Sequence, residues 1–228
     1  MTLPSSLFQS IVAARAGESA AGWLDAVCAT AGTDVDALCT AYTAASARAG
    51  RGSASLDAAA RQPFEAAGLD VGRWTIDDFA RAALLFAAAS RLGADAFADA
   101  VIACFERGDA REQQSWLKAL SVLPDPERFL RLAIDACRTN IVPLFESIAC
   151  ENPYPARFFP ERNFNQMVLK SLFNSIALTR IVGLPGRLNA ELSRMAGDYA
   201  AERRAAGRTV PADIGMAMME SGSAGVMR

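Results

Sequence analysis

The chain has 228 residues, 52% of them hydrophobic and 21% charged, which allows a large buried core and does not fit a disordered chain. Its formal net charge of −2 gives the molecule no overall attraction to nucleic acid or to anionic lipid. Histidine is absent, which excludes Ser-His and Cys-His catalytic pairs and removes the commonest zinc ligand.

Helical periodicity runs through the first 150 residues and is broken by glycine, serine and proline. The clearest break is "RAGRGSAS" at 48–55, which opens a looser boundary near 48–73. The clearest helix start is Thr75, because Asp78 follows at capping-box spacing, and Gly93 is predicted to end that helix. The first predicted helix of this part starts at Ser5 or Ser6, and a short predicted helix contains Pro63. The other predicted helices span about 18–32, 34–49, 75–93, 95–107, 111–123, 126–140 and 141–151.

In the C-terminal third, two long helices are predicted over about 162–182 and 185–206, joined by "GLPG". Since helix starts recur every fifteen to twenty residues, two consecutive helices together have roughly the length of one helical-hairpin repeat. We therefore predict an all-α fold of about eleven helices with no sheet, in which antiparallel helical hairpins stack as in an α-α superhelix or solenoid. A single domain over 1–208 is predicted, followed over 209–228 by a short helix and a frayed tail.

The stretch "CENPYPARFFPERNFNQMVLKSLFN" at 150–174 differs from the Ala-rich chain around it. Pro153, Pro155 and Pro160 predict a non-helical loop over 152–159, because proline disfavours helical geometry at its own position and before it. The aromatic residues of this loop predict that it folds back and packs on helices. Such a loop is rigid and holds four polar side chains in fixed places: Glu151, Asn152, Arg157 and Glu161.

The helix predicted after Pro160 is apolar nearly all round, which indicates a central position, and it has one thin polar stripe. At about 100° per residue, Asn163, Gln166, Lys170 and Asn174 fall within an arc of about 80°. Two interpretations stay open: a solvent face, or the polar edge of a ligand-binding cleft between the 151–162 loop and the 163–182 helix. The predicted ligand-binding residues are Asn152, Tyr154, Arg157, Asn163, Gln166, Lys170 and Asn174.

The next predicted helix carries a ladder of opposite charges: Arg187, Glu191, Arg194, Asp198 and Glu202. The ladder is interpreted either as solvated ion pairs or as a face turned towards the polar stripe. A small basic cluster near the end of this helix is formed by Arg203, Arg204 and Arg208. It is interpreted either as a set of cations that complement the negative end of the helix dipole or as a phosphate site.

Five widely spaced cysteines without a C-x-x-C pair predict small core residues in a reducing compartment, and no metal or cofactor is predicted. The start "MTLPSSLFQSIVAARAG" does not read as a signal peptide, and no apolar run is long enough to span a bilayer. The expectation is a cytoplasmic protein that is not integral to the membrane.

Two strings carry a resemblance: "ENPYPARFFPERNFNQMVLKSLFN" and "RLNAELSRMAGDYAAERRAAGRTVPADI" are similar to the EboA family of bacterial proteins. The similarity is strongest over Cys150 to Ile214, while the first half matches in helical character alone. The resemblance implies a cytoplasmic protein acting in trafficking or export of a secondary metabolite precursor. It implies that the partner is a small-molecule metabolite or a protein of the pathway, which includes a membrane protein of the pathway. The resemblance supplies no catalytic residues.

The first hypothesis for function is therefore a non-catalytic protein that binds a small molecule or a partner protein in the predicted cleft. The alternative is an enzyme of the same pathway that uses the carboxylates of Glu146, Glu151 and Glu161, assisted by Lys170 or Tyr154. Nucleic-acid binding is disfavoured by the balanced charge.

Overall fold

The computed structural model describes residues 3–219. Within this range the protein is all-α, as predicted, with twelve α-helices, five short 3-10 helices and no strand beyond one isolated bridge between Ser53 and Thr75. The stacking of hairpins into a solenoid stays a prediction. The helices are α1 (Ser5–Ala16), α2 (Glu18–Thr30), α3 (Val35–Ala49), α4 (Ala58–Ala66), α5 (Ile76–Ala89), α6 (Ala94–Arg107), α7 (Ala110–Ala119), α8 (Leu130–Ala136), α9 (Val142–Ala149), α10 (Tyr154–Phe158), α11 (Glu161–Phe173) and α12 (Ala190–Ala205).

The chain divides into two compact units, Met1–Ile148 and Ala149–Arg228, here called the N-terminal and C-terminal units. The division falls at the end of α9, and the break at 48–55 lies inside the N-terminal unit. The single domain over 1–208 remains a prediction. None of the helices described within residues 3–219 combines the length and apolarity needed to cross a membrane.

The N-terminal unit is built around α5, which is buried on almost every side and packs against α1, α2, α3 and α7. Its small and aromatic side chains allow this close approach of helices from all directions. Five rings form one cluster at the core of the unit: Phe8, Phe64, Trp74, Phe79 and Phe86. Full burial of each large side chain contributes about 1.5–3 kcal/mol relative to exposure.

The start of α5 confirms the predicted capping box, since the Thr75 backbone N–H donates to the Asp78 carboxylate over 2.9 Å. The predicted end at Gly93 is wrong. The helix closes at Ser90, whose N–H reaches back to the carbonyls of Ala88 and Phe86 and tightens the last turn. Gly93 instead precedes α6 as its N-terminal cap.

In the C-terminal unit, the prediction of a fully non-helical 152–159 loop is wrong, because α10 occupies Tyr154–Phe158. Pro155 lies in the first turn of this short helix, where its missing N–H has no partner to lose. Proline therefore limits the length of the helix here and does not prevent it.

The prediction of one helix over 162–182 is also wrong, because α11 ends at Phe173. Ser175 takes a left-handed φ of 57°, and its N–H donates to the Leu172 carbonyl over 3.1 Å. The Ile176 N–H donates to the Ser171 carbonyl over 2.9 Å, which completes a Schellman motif. The following chain forms 3-10 turns at Leu178–Arg180 and Leu184–Arg187, and α12 begins at Ala190, later than the predicted start near 185.

Helix α11 is amphipathic and not buried all round, as Phe173 at its end is 58% exposed. The last predicted helix, over 211–220, is shorter than expected and forms a 3-10 turn at Ile214–Ala217. Both Ile214 and Ala217 are buried, so the chain at 209–217 packs onto its unit. The predicted tail beyond Met219 lies outside the described residues.

Candidate functional site

The aromatic residues of the segment 151–159 anchor it, as predicted. Tyr154 is fully buried, with its ring centroid 4.7 Å from that of Phe158 and 6.2 Å from that of Phe159. Asn152 is buried too, and its side-chain oxygen accepts a hydrogen bond from the Tyr154 backbone N–H over 3.0 Å. These two predicted ligand-binding residues therefore lie inside the unit and fix the start of α10.

A two-bond ion pair holds the first residue of the segment. The Arg180 guanidinium donates to both carboxylate oxygens of Glu151, over 2.7 and 2.9 Å. The Glu151 N–H in turn donates to the Arg180 carbonyl over 2.9 Å. Forked pairing of this kind fixes orientation as well as distance, so residue 151 has a defined place.

Arg187 holds the C-terminal end of α10. Its guanidinium donates to the Ala156 carbonyl over 2.6 Å and to the Phe159 carbonyl over 2.7 Å. It also lies over the Phe164 ring, 4.6 Å from the centroid, and so ties α10 to the first turns of α11. The assignment of Arg187 to a helical charge ladder is wrong, because the residue belongs to the 3-10 turn before α12.

The rest of that ladder is solvated. Arg194 pairs with Glu191 over 2.7 Å and with Asp198 over 2.6 Å, and all three side chains are exposed. This confirms the ion-pair interpretation for these three residues. Exposed pairs of this kind contribute little to stability, because solvent screens the charges.

The polar stripe of α11 is accessible to solvent. Asn163 and Lys170 are half-buried, while Gln166, Asn174 and Arg157 are exposed. Within residues 3–219, the side chains of Asn163, Gln166, Asn174 and Arg157 make no hydrogen bond.

Asn165, on the same helix, shows the opposite arrangement. It is buried, and its amide exchanges two hydrogen bonds with the Asn189 amide, over 3.1 and 3.0 Å. The Asn189 oxygen also accepts from the Leu192 N–H over 2.8 Å and caps α12. Asn165 and Asn189 were not among the predicted site residues, and their pairing is structural.

A groove with a volume of about 490 Å³ lies elsewhere on the C-terminal unit. It is lined by Leu172, Ser175–Ala177, Arg203 and 209–213, and by none of the seven predicted residues. Its two charged side chains are engaged locally, since Arg203 donates to the Thr209 carbonyl over 2.8 Å and Asp213 accepts from the Leu178 N–H over 2.6 Å.

Sequence reasoning missed a buried charge cluster in the N-terminal unit. Asp77 and Arg81 of α5 form a fully buried ion pair of 2.8 Å, and the Arg111 guanidinium donates to both Asp77 oxygens over 3.1 Å. Beside them, Asp78 accepts from the Lys118 ammonium over 2.6 Å. Three charges in an otherwise apolar run, at 77, 78 and 81, were the signal in the sequence.

The cluster is internally satisfied. The Arg81 guanidinium also donates to the Tyr42 carbonyl and to the hydroxyls of Ser46 and Ser115, over 2.8–3.1 Å. Burial alone would raise the pKa of Asp77, but its hydrogen bonds, led by those from Arg111, outweigh burial and hold this pKa well below its usual range. A carboxylate kept ionised by so many donors serves structure and not proton transfer. Among residues 3–219, no group of His, Cys, Asp or Glu side chains could hold a metal ion.

Comparison with known proteins adds one finding. A family model described as metabolite traffic protein EboA matches residues 5–219, and so extends over the N-terminal unit as well as the C-terminal one. Comparisons with curated proteins and with solved structures give no match. Because the family model spans nearly the whole chain, the protein belongs to the EboA family of metabolite traffic proteins.

Proposed function

We propose that the protein serves metabolite traffic by binding a polar small molecule, without converting it, in a cleft between the 151–162 segment and α11. The general role in metabolite traffic comes from the family. The binding mode is the new element of the proposal. Asn163, Gln166, Lys170, Asn174 and Arg157 contact the ligand, and the buried Asn152 and Tyr154 hold the wall of the cleft.

The supporting observation is the contrast between the amides of α11. Both the nitrogen and the oxygen of the buried Asn165 amide are hydrogen-bonded, whereas Asn163, Gln166 and Asn174 make no side-chain hydrogen bond within the described residues. Amides both donate and accept, so a row of them suits hydroxyl and carbonyl groups. The two cations nearby, Lys170 and Arg157, suit an anionic group such as a carboxylate or a phosphate.

Rigidity of the surrounding chain supports the same proposal. Arg180 fixes Glu151, and Arg187 fixes the end of α10 against Phe164. A surface held by such contacts loses little conformational entropy when a ligand binds, which favours affinity.

The alternative of an enzyme remains a hypothesis that no contact favours. One of its three carboxylates, Glu151, has both oxygens occupied by Arg180. A general acid or base needs a carboxyl group free to exchange a proton with substrate.

The test removes the three amides of the stripe together. Asn163→Ala, Gln166→Ala and Asn174→Ala leave every described hydrogen bond of other residues intact, so the triple variant is expected to fold. Native mass spectrometry of protein purified from cells that run the pathway is expected to show a bound small molecule in the wild type. Because each lost hydrogen bond weakens binding by about 0.5–1.5 kcal/mol, we expect the triple variant to lose at least tenfold in affinity, seen as a lower occupied fraction.

Two matched variants make the result decisive. Gln62→Ala removes an exposed amide from α4 and is expected to keep full occupancy. Arg203→Met alters the separate groove of the C-terminal unit. If Arg203→Met releases the ligand and the triple variant retains it, the proposed cleft is wrong. If the triple variant instead loses binding to another protein of the pathway, a small-molecule ligand is the wrong conclusion.

A further inference from the structure

Two cysteines that are distant in sequence meet in the N-terminal unit. Cys39 lies on α3 and Cys104 on α6, and these two helices pack against each other. Their Sγ atoms are 3.7 Å apart, which is the contact distance of two sulfur atoms without a bond. A disulfide requires about 2.05 Å, so the two sulfur atoms must approach each other further to form one.

The two thiols differ in their surroundings. Cys39 is half-buried and open to a small solute, whereas Cys104 is 2% exposed. Burial raises the pKa of the Cys104 thiol, so this sulfur is the poorer first nucleophile. The Arg107 guanidinium, one turn further along α6, interacts electrostatically with both sulfur positions.

We propose that Cys39 and Cys104 are a redox-modification site, in which hydrogen peroxide or a related hydroperoxide converts the two thiols into a disulfide that links α3 to α6. Cys39 is the attacking residue and Cys104 the resolving one. Sequence reasoning treated all five cysteines as small core residues, but Cys39 and Cys137 are only half-buried.

The reaction balances with one peroxide. The Cys39 thiolate attacks a peroxide oxygen, the O–O bond breaks, and a sulfenic acid forms while the other oxygen leaves as water after taking up a proton. The Cys104 sulfur then attacks the sulfenyl sulfur, the S–O bond breaks, and the disulfide forms with release of a second water. Two thiols are oxidised and one peroxide is reduced to two waters.

The disulfide would tie α6 to α3, the helix that supplies two partners of the buried charge cluster. Tyr42 and Ser46 of α3 are partners of Arg81, so a bond between α3 and α6 restrains one side of that cluster. Joining residues 39 and 104 closes a long loop, which restricts the unfolded chain and favours the folded unit.

The experiment treats the full-length, reduced protein with a slight excess of hydrogen peroxide. The expected result is a fall from five titratable thiols to three under denaturing conditions, with full recovery after dithiothreitol. Peptide mapping without reduction is expected to show one cross-linked peptide pair, containing Cys39 and Cys104.

Three variants set the controls. Cys39→Ser is expected to lose the cross-link, and Cys137→Ser, which removes the other half-buried thiol, is expected to keep it. Cys104→Ala replaces the buried thiol without adding a polar group and is expected to stop at the Cys39 sulfenic acid, detectable by dimedone labelling. Five free thiols after treatment, a disulfide between any other pair, or an unchanged thiol loss in Cys39→Ser would overturn the proposal.

Discussion

The two units use buried polar groups in different ways. In the N-terminal unit, charged side chains from α5 and α7 pair with one another inside an Ala-rich core, as Asp77 does with Arg81 and Arg111. In the C-terminal unit, Arg187 is bound mainly to backbone carbonyls at the end of α10. The first arrangement joins regular helices, whereas the second replaces hydrogen bonds that a short helix cannot make for itself. The comparison shows how irregular chain in the C-terminal unit stays ordered: a side chain supplies the hydrogen bonds that regular helices form within their own backbone.

The largest effect is expected from breaking the buried pair in the N-terminal unit. Arg81→Met preserves most of the volume of the side chain but removes its four hydrogen-bond partners, leaving the Asp77 charge under-compensated in the core. We expect the free energy of unfolding, measured by urea denaturation, to fall by about 3–5 kcal/mol. Arg107→Met removes a solvent-exposed partner of Asp36 and should change that free energy far less. Equal losses in the two variants would show that burial does not distinguish these pairs.

A smaller loss is expected from Arg187→Met in the C-terminal unit. The variant frees the carbonyls of Ala156 and Phe159, so we expect a loss of about 2–3 kcal/mol in the free energy of unfolding. Hydrogen exchange should also quicken at least tenfold at the Arg157 and Phe159 amides, which bond within α10.

Arg187→Lys separates charge from geometry. A lysine ammonium keeps the positive charge but cannot reproduce the planar fork that reaches two carbonyls and lies over Phe164. We expect it to recover less than half of the lost stability. Full recovery would mean that charge alone holds the end of α10.

The pH dependence of stability tests the N-terminal cluster by another route. The pKa of Asp77 is lowered in the folded state, so its stabilising effect is complete above the unfolded value near 3.9 and is lost as pH falls from there towards the folded value. Asp77→Asn cannot titrate. We therefore expect the difference in unfolding free energy between wild type and this variant to shrink by at least about 1 kcal/mol between pH 5 and pH 2.

Gln62→Ala supplies the control for that titration, because it removes an exposed amide that carries no titratable group. Its curve of stability against pH should run parallel to that of the wild type. A curve for Asp77→Asn that runs parallel to the wild type would contradict the proposed role of the Asp77 charge.

Local signals in the sequence predicted the regular parts of the fold. The capping pair Thr75 and Asp78 fixed the start of α5, and helical periodicity gave the all-α class. The end of α11 escaped prediction because its Schellman motif uses Ser175 in place of the usual glycine. The proline spacing led to a wrong prediction at α10, because Pro155 lies in the first turn of the helix, where proline is tolerated.

Long-range partners could not be read from the sequence. Arg187 lies 31 residues from Ala156, and no periodic pattern links an arginine to a distant backbone carbonyl. The helical wheel did place the amides of α11 on one stripe, and these side chains are exposed or half-buried. It could not tell that Asn165, two positions from Asn163, would meet an amide from the start of α12.

The smallest effect is expected for an amide without a partner. Comparing it with a bonded amide of the same helix, α11, tests the contrast between the two. Gln166→Ala should change the free energy of unfolding by less than about 0.5 kcal/mol, because it removes an exposed side chain and adds a better helix former. Asn165→Ala should lower it by about 1–3 kcal/mol, because the half-buried Asn189 amide loses both of its hydrogen bonds with the buried side chain at 165. Thermal and urea unfolding of both variants give the comparison. If Gln166→Ala proves as destabilising as Asn165→Ala, the stripe contributes to folding, and its amides are not available to a ligand.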